Sequence, residues 1–118
     1  MNIEEYRSYC LTLKGADEEM PFDNKTLVFT IRGKMFTSTN IETFELVNVK
    51  CDPEEAVLIR EKHAAVIPGY YMNKKHWNSI VMDNTISDEL IKEWIGNSYK
   101  LVLSKLPKKV QIGLSECG

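Results

Sequence analysis

The sequence predicts a single α+β domain, in which an antiparallel β-sheet carries its helices on one face. The length of 118 residues matches the commonest size of one domain. Hydrophobic residues make up 43% of the chain, which is enough to build a core without a metal or a disulfide. The patterns occur in the order helix, three strands, helix, two short strands, helix. Strands that follow one another directly between helices are typical of an antiparallel sheet.

An amphipathic helix is predicted near the N-terminus. Residues 3–13 carry side chains suited to a core three and four positions apart, at Ile3, Tyr6, Cys10 and Leu13. Gly15 is suited to end this helix, because glycine readily adopts the left-handed conformation of a helix cap. The stretch GADEEMPFD is expected to form a polar loop, since Pro21 excludes a continuing helix there.

A β-hairpin and a third strand follow in the sequence. Residues 26–31 and 35–39 are rich in β-branched and aromatic side chains. Between them, Arg32-Gly33-Lys34 contains the glycine that a tight hairpin turn needs for its positive φ angle. The stretch TFELVNVKC then shows the alternation of a strand. We therefore predict three strands, with basic residues on both sides of the hairpin tip.

The second predicted helix has a well-marked start. Asp52 can accept a hydrogen bond from a backbone N–H group at the helix start, and Pro53 suits the first helical position. Glu55 can complete a capping box with it. We expect this helix to end near residue 63.

Two short strands are predicted after the second helix. A turn at Pro68-Gly69 follows the first, extended segment, and a loop around residues 73–75 comes next. The second strand is expected to run from about residue 77 to residue 82, where Asp83-Asn84 marks a turn.

The last predicted helix begins after Ser87, which can cap it, and ends before Pro107. Gly96 costs this helix about 1 kcal/mol relative to alanine, so the sequence allows a kink or a break near residue 96. Residues 108–118 show no clear period and are interpreted as a loose or weakly docked tail. The inward positions are Leu90, Ile91, Trp94, Ile95, Ser98, Leu101, Val102 and Leu106.

Composition excludes several classes of protein. No apolar run is long enough to span a bilayer, and the acidic N-terminus lacks the pattern of a signal peptide, so a cytoplasmic protein is expected. The three cysteines form no C-x-x-C pair, and His63 and His76 are too far apart for a zinc motif. A net charge of −2 argues against a general polyanion binder.

Charge is nevertheless distributed unevenly along the chain. Residues 1–24 contain six acidic and two basic side chains, whereas residues 97–118 contain four lysines and one glutamate. Such asymmetry permits a local basic face on a protein that is acidic overall.

Five motifs occur in a characteristic order: MPFD, RGKMF, VKCDPEEA, IPGYYMNKKHWNSI and SYKLVLSKLPKK. With this order and spacing, residues 2–109 resemble the MmcQ/YjbR family of small bacterial proteins. The resemblance implies an α+β domain related in fold to the frataxin-like CyaY proteins. Family members have been likened to a double-wing DNA-binding motif of a phage transcription factor. The resemblance therefore implies DNA binding and no established enzyme activity, and residues 110–118 lie outside it.

Two basic loops carry the DNA-binding hypothesis. If the hairpin tip and the loop before the last strand project from one side, their cations can contact phosphates on either side of a groove. Asparagine amides can add hydrogen bonds, and lysines of residues 100–109 can widen the footprint. Lysines at hairpin tips are also common because such tips are solvated. The candidate residues are Arg32, Lys34, Asn73, Lys74, Lys75, His76 and Asn78.

Two other binding hypotheses remain open. Aromatic side chains are typical anchors of protein interfaces, and the candidates for a partner surface are Tyr70, Tyr71 and Trp77. Trp77 also opens an apolar strand, and we favour core packing for it. A small anionic ligand is the other alternative, bound by Lys74, Lys75, His76 and Tyr71.

No catalytic or metal site is predicted. The frataxin resemblance raises iron binding by carboxylates, but acidic residues on a surface are usually only solvated. The sequence lacks a glycine-rich phosphate loop, a nucleophile elbow and a paired-carboxylate motif, so we predict a protein without enzyme activity or cofactor. A monomer, or a weak dimer through an unpaired strand edge, is expected. The acidic residues considered are Glu4, Glu5, Asp17, Glu18 and Glu19.

Overall fold

A six-stranded antiparallel sheet organises the part of the chain that the computed structural model describes, residues 1–69 and 72–116. The strand order is β1-β2-β3-β4-β6-β5, and every neighbouring pair is antiparallel. The predicted α+β fold class is confirmed. The elements are α1 (Ile3–Leu11), β1 (Ala16–Glu19), β2 (Thr26–Ile31), β3 (Lys34–Asn40), β4 (Leu46–Lys50), α2 (Pro53–Lys62), β5 (Val66–Pro68), β6 (Trp77–Val81), α3 (Asp88–Ser104) and α4 (Lys108–Glu116).

Side-chain caps explain where three helices begin. Asn2 and Glu5 form a capping box on α1, in which the Asn2 side chain accepts from the Glu5 N–H at 2.8 Å. Asp52 accepts from the N–H groups of the second and third residues of α2, and Pro53 occupies its first position, as predicted. Ser87 accepts the Leu90 N–H at 3.2 Å and starts α3, which confirms that prediction too.

The hairpin between β2 and β3 has the predicted tight turn. Ile31 and Lys34 pair directly, and Arg32 and Gly33 between them both have positive φ angles, of 50° and 80°. Two successive residues of this kind match the twist of the flanking strands, which is why two-residue hairpins favour them. Arg32 and Lys34 are both exposed at this turn.

A bulge in β3 brings two side chains onto the helix side of the sheet. Phe29 pairs with Thr37 and Thr30 with Met35, so that Phe36 has no partner in β2. The Phe36 ring packs edge-on against Tyr99 of α3, with 5.4 Å between ring centroids. The Thr37 hydroxyl lies 2.9 Å from the hydroxyl of Tyr6 in α1. Helices α1 and α3 therefore share one face of the sheet, and the core lies beneath them.

Ser98 connects the long helix to the sheet through a buried polar contact. Its hydroxyl accepts the Lys50 N–H at 2.8 Å and donates to the Phe36 carbonyl. The predicted inward residues around it are buried, including Trp94, Ile95 and Val102. Helix α3 continues through Gly96 as one helix, so that no break occurs there.

Strand β1 was not predicted from the sequence. Its residues, ADEE, are poor strand formers, and the last three are exposed. It forms because all four pair with β2 along one edge of the sheet. Gly15 has a positive φ of 78°, as expected for a left-handed residue, but α1 already ends at Leu11 with Thr12 as its cap, and Gly15 instead lies in the turn into β1.

The interpretation of residues 108–116 as a loose or weakly docked tail is wrong. They belong to α4, and Leu114 is only 5% exposed. A Cβ atom on Gly15 would lie 2.6 Å from a methyl group of Leu114, so that the helix is seated closely on the turn before β1. None of the described helices is both long and apolar enough to cross a membrane.

Candidate nucleic-acid interface

The two basic loops lie at the same end of the sheet. The hairpin tip joins the end of β2 to the start of β3, while β4 finishes at that end with Lys50. Lys50 pairs with Trp77, the first residue of β6, so that the loop before β6 also lies there. We call this the basic end, defined by Arg32, Lys34, Lys74, Lys75 and His76.

Strand order sets the lateral spacing of the loops. The hairpin spans β2 and β3, and β4 separates it from β6. Neighbouring strands lie about 4.8 Å apart, so that the middle of the hairpin and β6 are roughly 12 Å apart along the backbone layer. The loops are therefore distinct projections, one on either side of β4.

The cations of the basic end are available to an external anion. Arg32, Lys34, Lys74 and Lys75 are exposed, and His76 is half-buried. Among the described residues, ion pairs engage other cations, linking Met1 with Asp88, Arg7 with Glu18 and Lys25 with Glu42. Carboxylates in the described part of the chain therefore leave these four positive charges unpaired.

Asn73 shapes the loop that carries the two lysines. Its side-chain oxygen accepts the Lys75 N–H at 3.0 Å, and its carbonyl accepts the N–H groups of His76 and Trp77 at 3.2 and 3.0 Å. Such a turn around an asparagine fixes the backbone locally. Asn73 therefore holds Lys74 and Lys75 at the tip of the loop.

Asn78, which was predicted to contact DNA, is buried and does not belong to the interface. Its side chain is only 1% exposed and faces α2, where its oxygen accepts from Arg60 at 2.7 Å and its amide donates to the Ala56 carbonyl at 3.3 Å. Both partners are inside the protein, so that Asn78 is a structural residue and contacts with DNA by it are excluded.

Trp77 does not belong to the predicted aromatic partner surface. This side chain is 8% exposed, so that it packs in the protein, as favoured for a residue that opens an apolar strand. It offers too little surface to anchor a partner. The other two candidates, Tyr70 and Tyr71, lie outside the described residues.

Further lysines surround the basic end. Lys105 is the C-terminal cap of α3 and lies beside Asn73 and His76 along a shared pocket. Lys108 and Lys109 occupy the first turn of α4, where the helix dipole is already positive and disfavours a cation. Helix stability therefore does not account for these two lysines.

Comparison with known proteins identifies the family. The sequence profile of the YjbR family matches residues 11–101. The chain is 37% identical over 92 residues to the uncharacterized protein YbdF of Escherichia coli O157:H7, covering 77% of this chain and 75% of that protein. It is 29% identical over 110 residues to the uncharacterized protein YjbR of Escherichia coli K12, covering 92% and 93%. The chain belongs to the YjbR family.

Solved structures support the same conclusion for the fold. The crystal structure of the Deinococcus radiodurans protein DR2400, which contains domain DUF419, superposes with a TM-score of 0.91 at 34% identity and covers 97% of this chain and 88% of that one. A Pseudomonas syringae protein superposes with a TM-score of 0.73 at 20% identity, covering 86% and 99% of the two chains. The latter similarity concerns the fold alone.

A cleft between α2 and α3 of this YjbR-family chain was not predicted from the sequence. We call it the helical cleft; its volume is about 470 Å³, and Val49, Val66 and Ile80 of the sheet lie at its floor. The two helices converge where the His63 ring packs edge-on against Trp94, with 5.2 Å between centroids. A smaller outer pocket of about 280 Å³ adjoins it at the basic end. No local sequence signal marks such a space, because it depends on how two separate helices are placed.

The acidic residues of the frataxin comparison are not assembled into a ligand set. Arg7 donates two hydrogen bonds to the Glu18 carboxylate, which lower the pKa of that group. Glu5 belongs to the capping box of α1. Among the described residues, no group of three or more histidine, cysteine, aspartate or glutamate side chains is placed to hold a metal ion.

Proposed function

We propose that this YjbR-family domain binds duplex DNA through its basic end. The observation that supports the proposal is the common position of two exposed cationic loops, which are distant in sequence and have no carboxylate partner among the described residues. The proposal assigns a binding role and no catalytic step.

The spacing of the loops suits a groove. The major groove of B-DNA is about 12 Å wide, which is similar to the separation estimated for the hairpin and the loop before β6. Each loop can then neutralise phosphates of one strand, with β4 ending between them. Arginine and lysine suit this role, because phosphate contacts supply most of the affinity by releasing counterions.

The same geometry indicates little base recognition. Asn78 is buried, and the oxygen of Asn73 is used inside its own loop. Arg32 is the side chain at the hairpin tip best able to reach a base edge, because its guanidinium can bond guanine in two places. We therefore expect binding that depends strongly on salt and weakly on sequence.

Two double variants test the proposal. Fluorescence anisotropy of a labelled duplex in low salt should give a measurable affinity for the unmodified protein. Replacing Lys74 and Lys75 by alanine should weaken binding by roughly tenfold or more, and Arg32→Ala with Lys34→Ala should do the same.

Lys25→Ala supplies a matched control. Lys25 precedes β2 at the opposite end of the sheet and pairs with Glu42, so that its loss should leave DNA affinity unchanged. Undetectable binding in low salt, or an equal loss of affinity in the Lys25 variant, would contradict the proposal.

A further inference from the structure

The helical cleft and the outer pocket form one continuous space. They share Lys50, Cys51, Asp52 and Leu101 along their boundary. The His63–Trp94 contact lies where α2 and α3 converge, and the outer pocket lies at the basic end of the sheet. The helical cleft also opens directly to solvent, since the exposed residues Glu55, Glu93 and Lys100 line it.

The inner part of this space is apolar at its floor. Val49, Val66 and Ile80 come from three neighbouring strands, and Ile59 and Trp94 close the sides from α2 and α3. A volume of about 470 Å³ lies within the range of small-molecule sites, which are mostly apolar with a few polar groups. The inner part thus suits an aromatic or branched aliphatic group.

The outer pocket is cationic. Among its described lining residues are two lysines, Lys50 and Lys105, opposed by the single carboxylate of Asp52. That carboxylate already accepts the N–H groups of Glu54 and Glu55 at the start of α2, at 3.1 and 3.4 Å. The helical cleft is acidic by comparison, since the carboxylates of Asp52, Glu55 and Glu93 accompany only Lys50 and Lys100. An anionic group is therefore best placed in the outer pocket.

The walls of the outer pocket are fixed before any ligand arrives. The Lys50 N–H is bound by Ser98, and the Cys51 N–H donates to the His76 carbonyl at 2.7 Å. The Asn73 turn holds His76 in place from the other side. Prearranged walls reduce the entropy that a ligand must lose to bind.

We infer that this space binds a small organic anion: a single carboxylate, sulfonate or phosphate group in the outer pocket, attached to an apolar body in the helical cleft. The inference goes beyond DNA binding, because its ligand, its apolar floor and its two lysines, Lys50 and Lys105, are distinct from the proposed loop contacts. Either proposal can fail without the other.

A matched pair of fluorescent probes tests the inference. The anion 1-anilinonaphthalene-8-sulfonate has an apolar body with one sulfonate, and N-phenyl-1-naphthylamine has the same body without charge. The protein should bind the anion more tightly than the neutral probe by roughly tenfold, as expected for one charge-assisted contact. Equal affinities would overturn the inference.

Variants locate the probe. Replacing Lys50 and Lys105 by alanine should weaken binding of the anionic probe by roughly tenfold and leave the neutral probe within about twofold. Leu101→Trp, which fills the boundary of the two spaces without adding charge, should weaken both probes. Lys62→Ala removes an exposed lysine of α2 outside both spaces and should change neither.

Chemical-shift mapping on the unmodified protein locates the anionic probe even if a variant fails to fold. In ¹⁵N-labelled unmodified protein, the anionic probe should shift the backbone resonances of Cys51, His76 and Leu101. Shifts confined to the separate surface around Met35 and Asn48 would overturn the inference, as would anion affinity that persists in a folded Lys50→Ala, Lys105→Ala variant.

Discussion

The hydroxyl of Ser98 accepts the backbone N–H of Lys50 at 2.8 Å, which fastens the long helix to the last residue of β4. The same hydroxyl donates to the Phe36 carbonyl in the β3 bulge. One fully buried serine therefore joins α3 to two strands at the basic end. It also fixes the backbone of a lysine that lines both the helical cleft and the outer pocket.

Ser98→Ala should destabilise the domain by about 1–3 kcal/mol, because it leaves a buried N–H and a buried carbonyl without this partner. The free energy of unfolding from urea titration provides the measurement. Ser104→Ala, on the exposed last turn of the same helix, should change it by less than about 0.5 kcal/mol. Similar values for the two variants would show that the buried contact contributes little.

Replacing glycine by alanine should have opposite effects on stability at Gly15 and Gly113. Gly15→Ala should be destabilising by about 1 kcal/mol or more, since alanine disfavours a positive φ and its Cβ would meet Leu114 at 2.6 Å. Gly113→Ala should be stabilising by about 0.5–1 kcal/mol, because it lies inside α4 and, among the described residues, no atom beyond its own stretch of helix lies within 4 Å of the added group. Thermal unfolding of both variants gives the comparison.

The Leu114→Ala background separates the two causes at Gly15. Removing the leucine methyl groups should reduce the cost of Gly15→Ala and leave only the backbone part. An unchanged cost in this background, or a neutral Gly113→Ala, would contradict a docked α4.

The elements of the fold that could be predicted are those whose formation depends on local residue preferences. The Arg32-Gly33 turn and the caps at Asp52 and Ser87 were predictable, because each follows from one residue's backbone or hydrogen-bonding preference. Strand β1 was not, since ADEE becomes a strand only through pairing with β2. Helix α4 was also missed, because its order depends on Leu114 meeting a glycine about a hundred residues earlier in the chain.

For the candidate sites, the residue types could be predicted from the sequence, but their placement in space could not. The basic composition of the two loops is visible in the sequence, whereas their common end depends on β6 inserting between β4 and β5. Asn78 resembles a surface amide in the sequence, and only the approach of Arg60 from α2 shows that it is buried and satisfied. The helical cleft depends on the placement of α2 and α3, which no single segment encodes.

Cys51 gives a prediction for pH dependence. Burial raises the pKa of the Cys51 thiol to about 11, and the carboxylates of Glu55 and Asp52 add to the increase. In a Cys117→Ser protein, alkylation of Cys51 by iodoacetamide should therefore accelerate about tenfold per pH unit from pH 8 to pH 10, without a plateau. Cys10 is fully buried and should stay protected in the folded protein.

Glu55→Gln should accelerate this alkylation at each pH, since removing the nearby negative charge lowers the pKa of the thiol and increases the thiolate fraction. Glu61→Gln, at an exposed position further along α2, serves as its control. A rate that levels off below pH 9 would indicate a thiol with an ordinary pKa.

The salt dependence of duplex binding is the most direct measurement of the central claim, that both cationic loops neutralise phosphates together. Plotting the logarithm of the association constant against the logarithm of salt concentration should give a slope of about −3 to −4 for four contacts. Lys74→Ala with Lys75→Ala should make the slope shallower by about 2, and so should Arg32→Ala with Lys34→Ala. A slope near zero, or one that neither double variant changes, would contradict the claim.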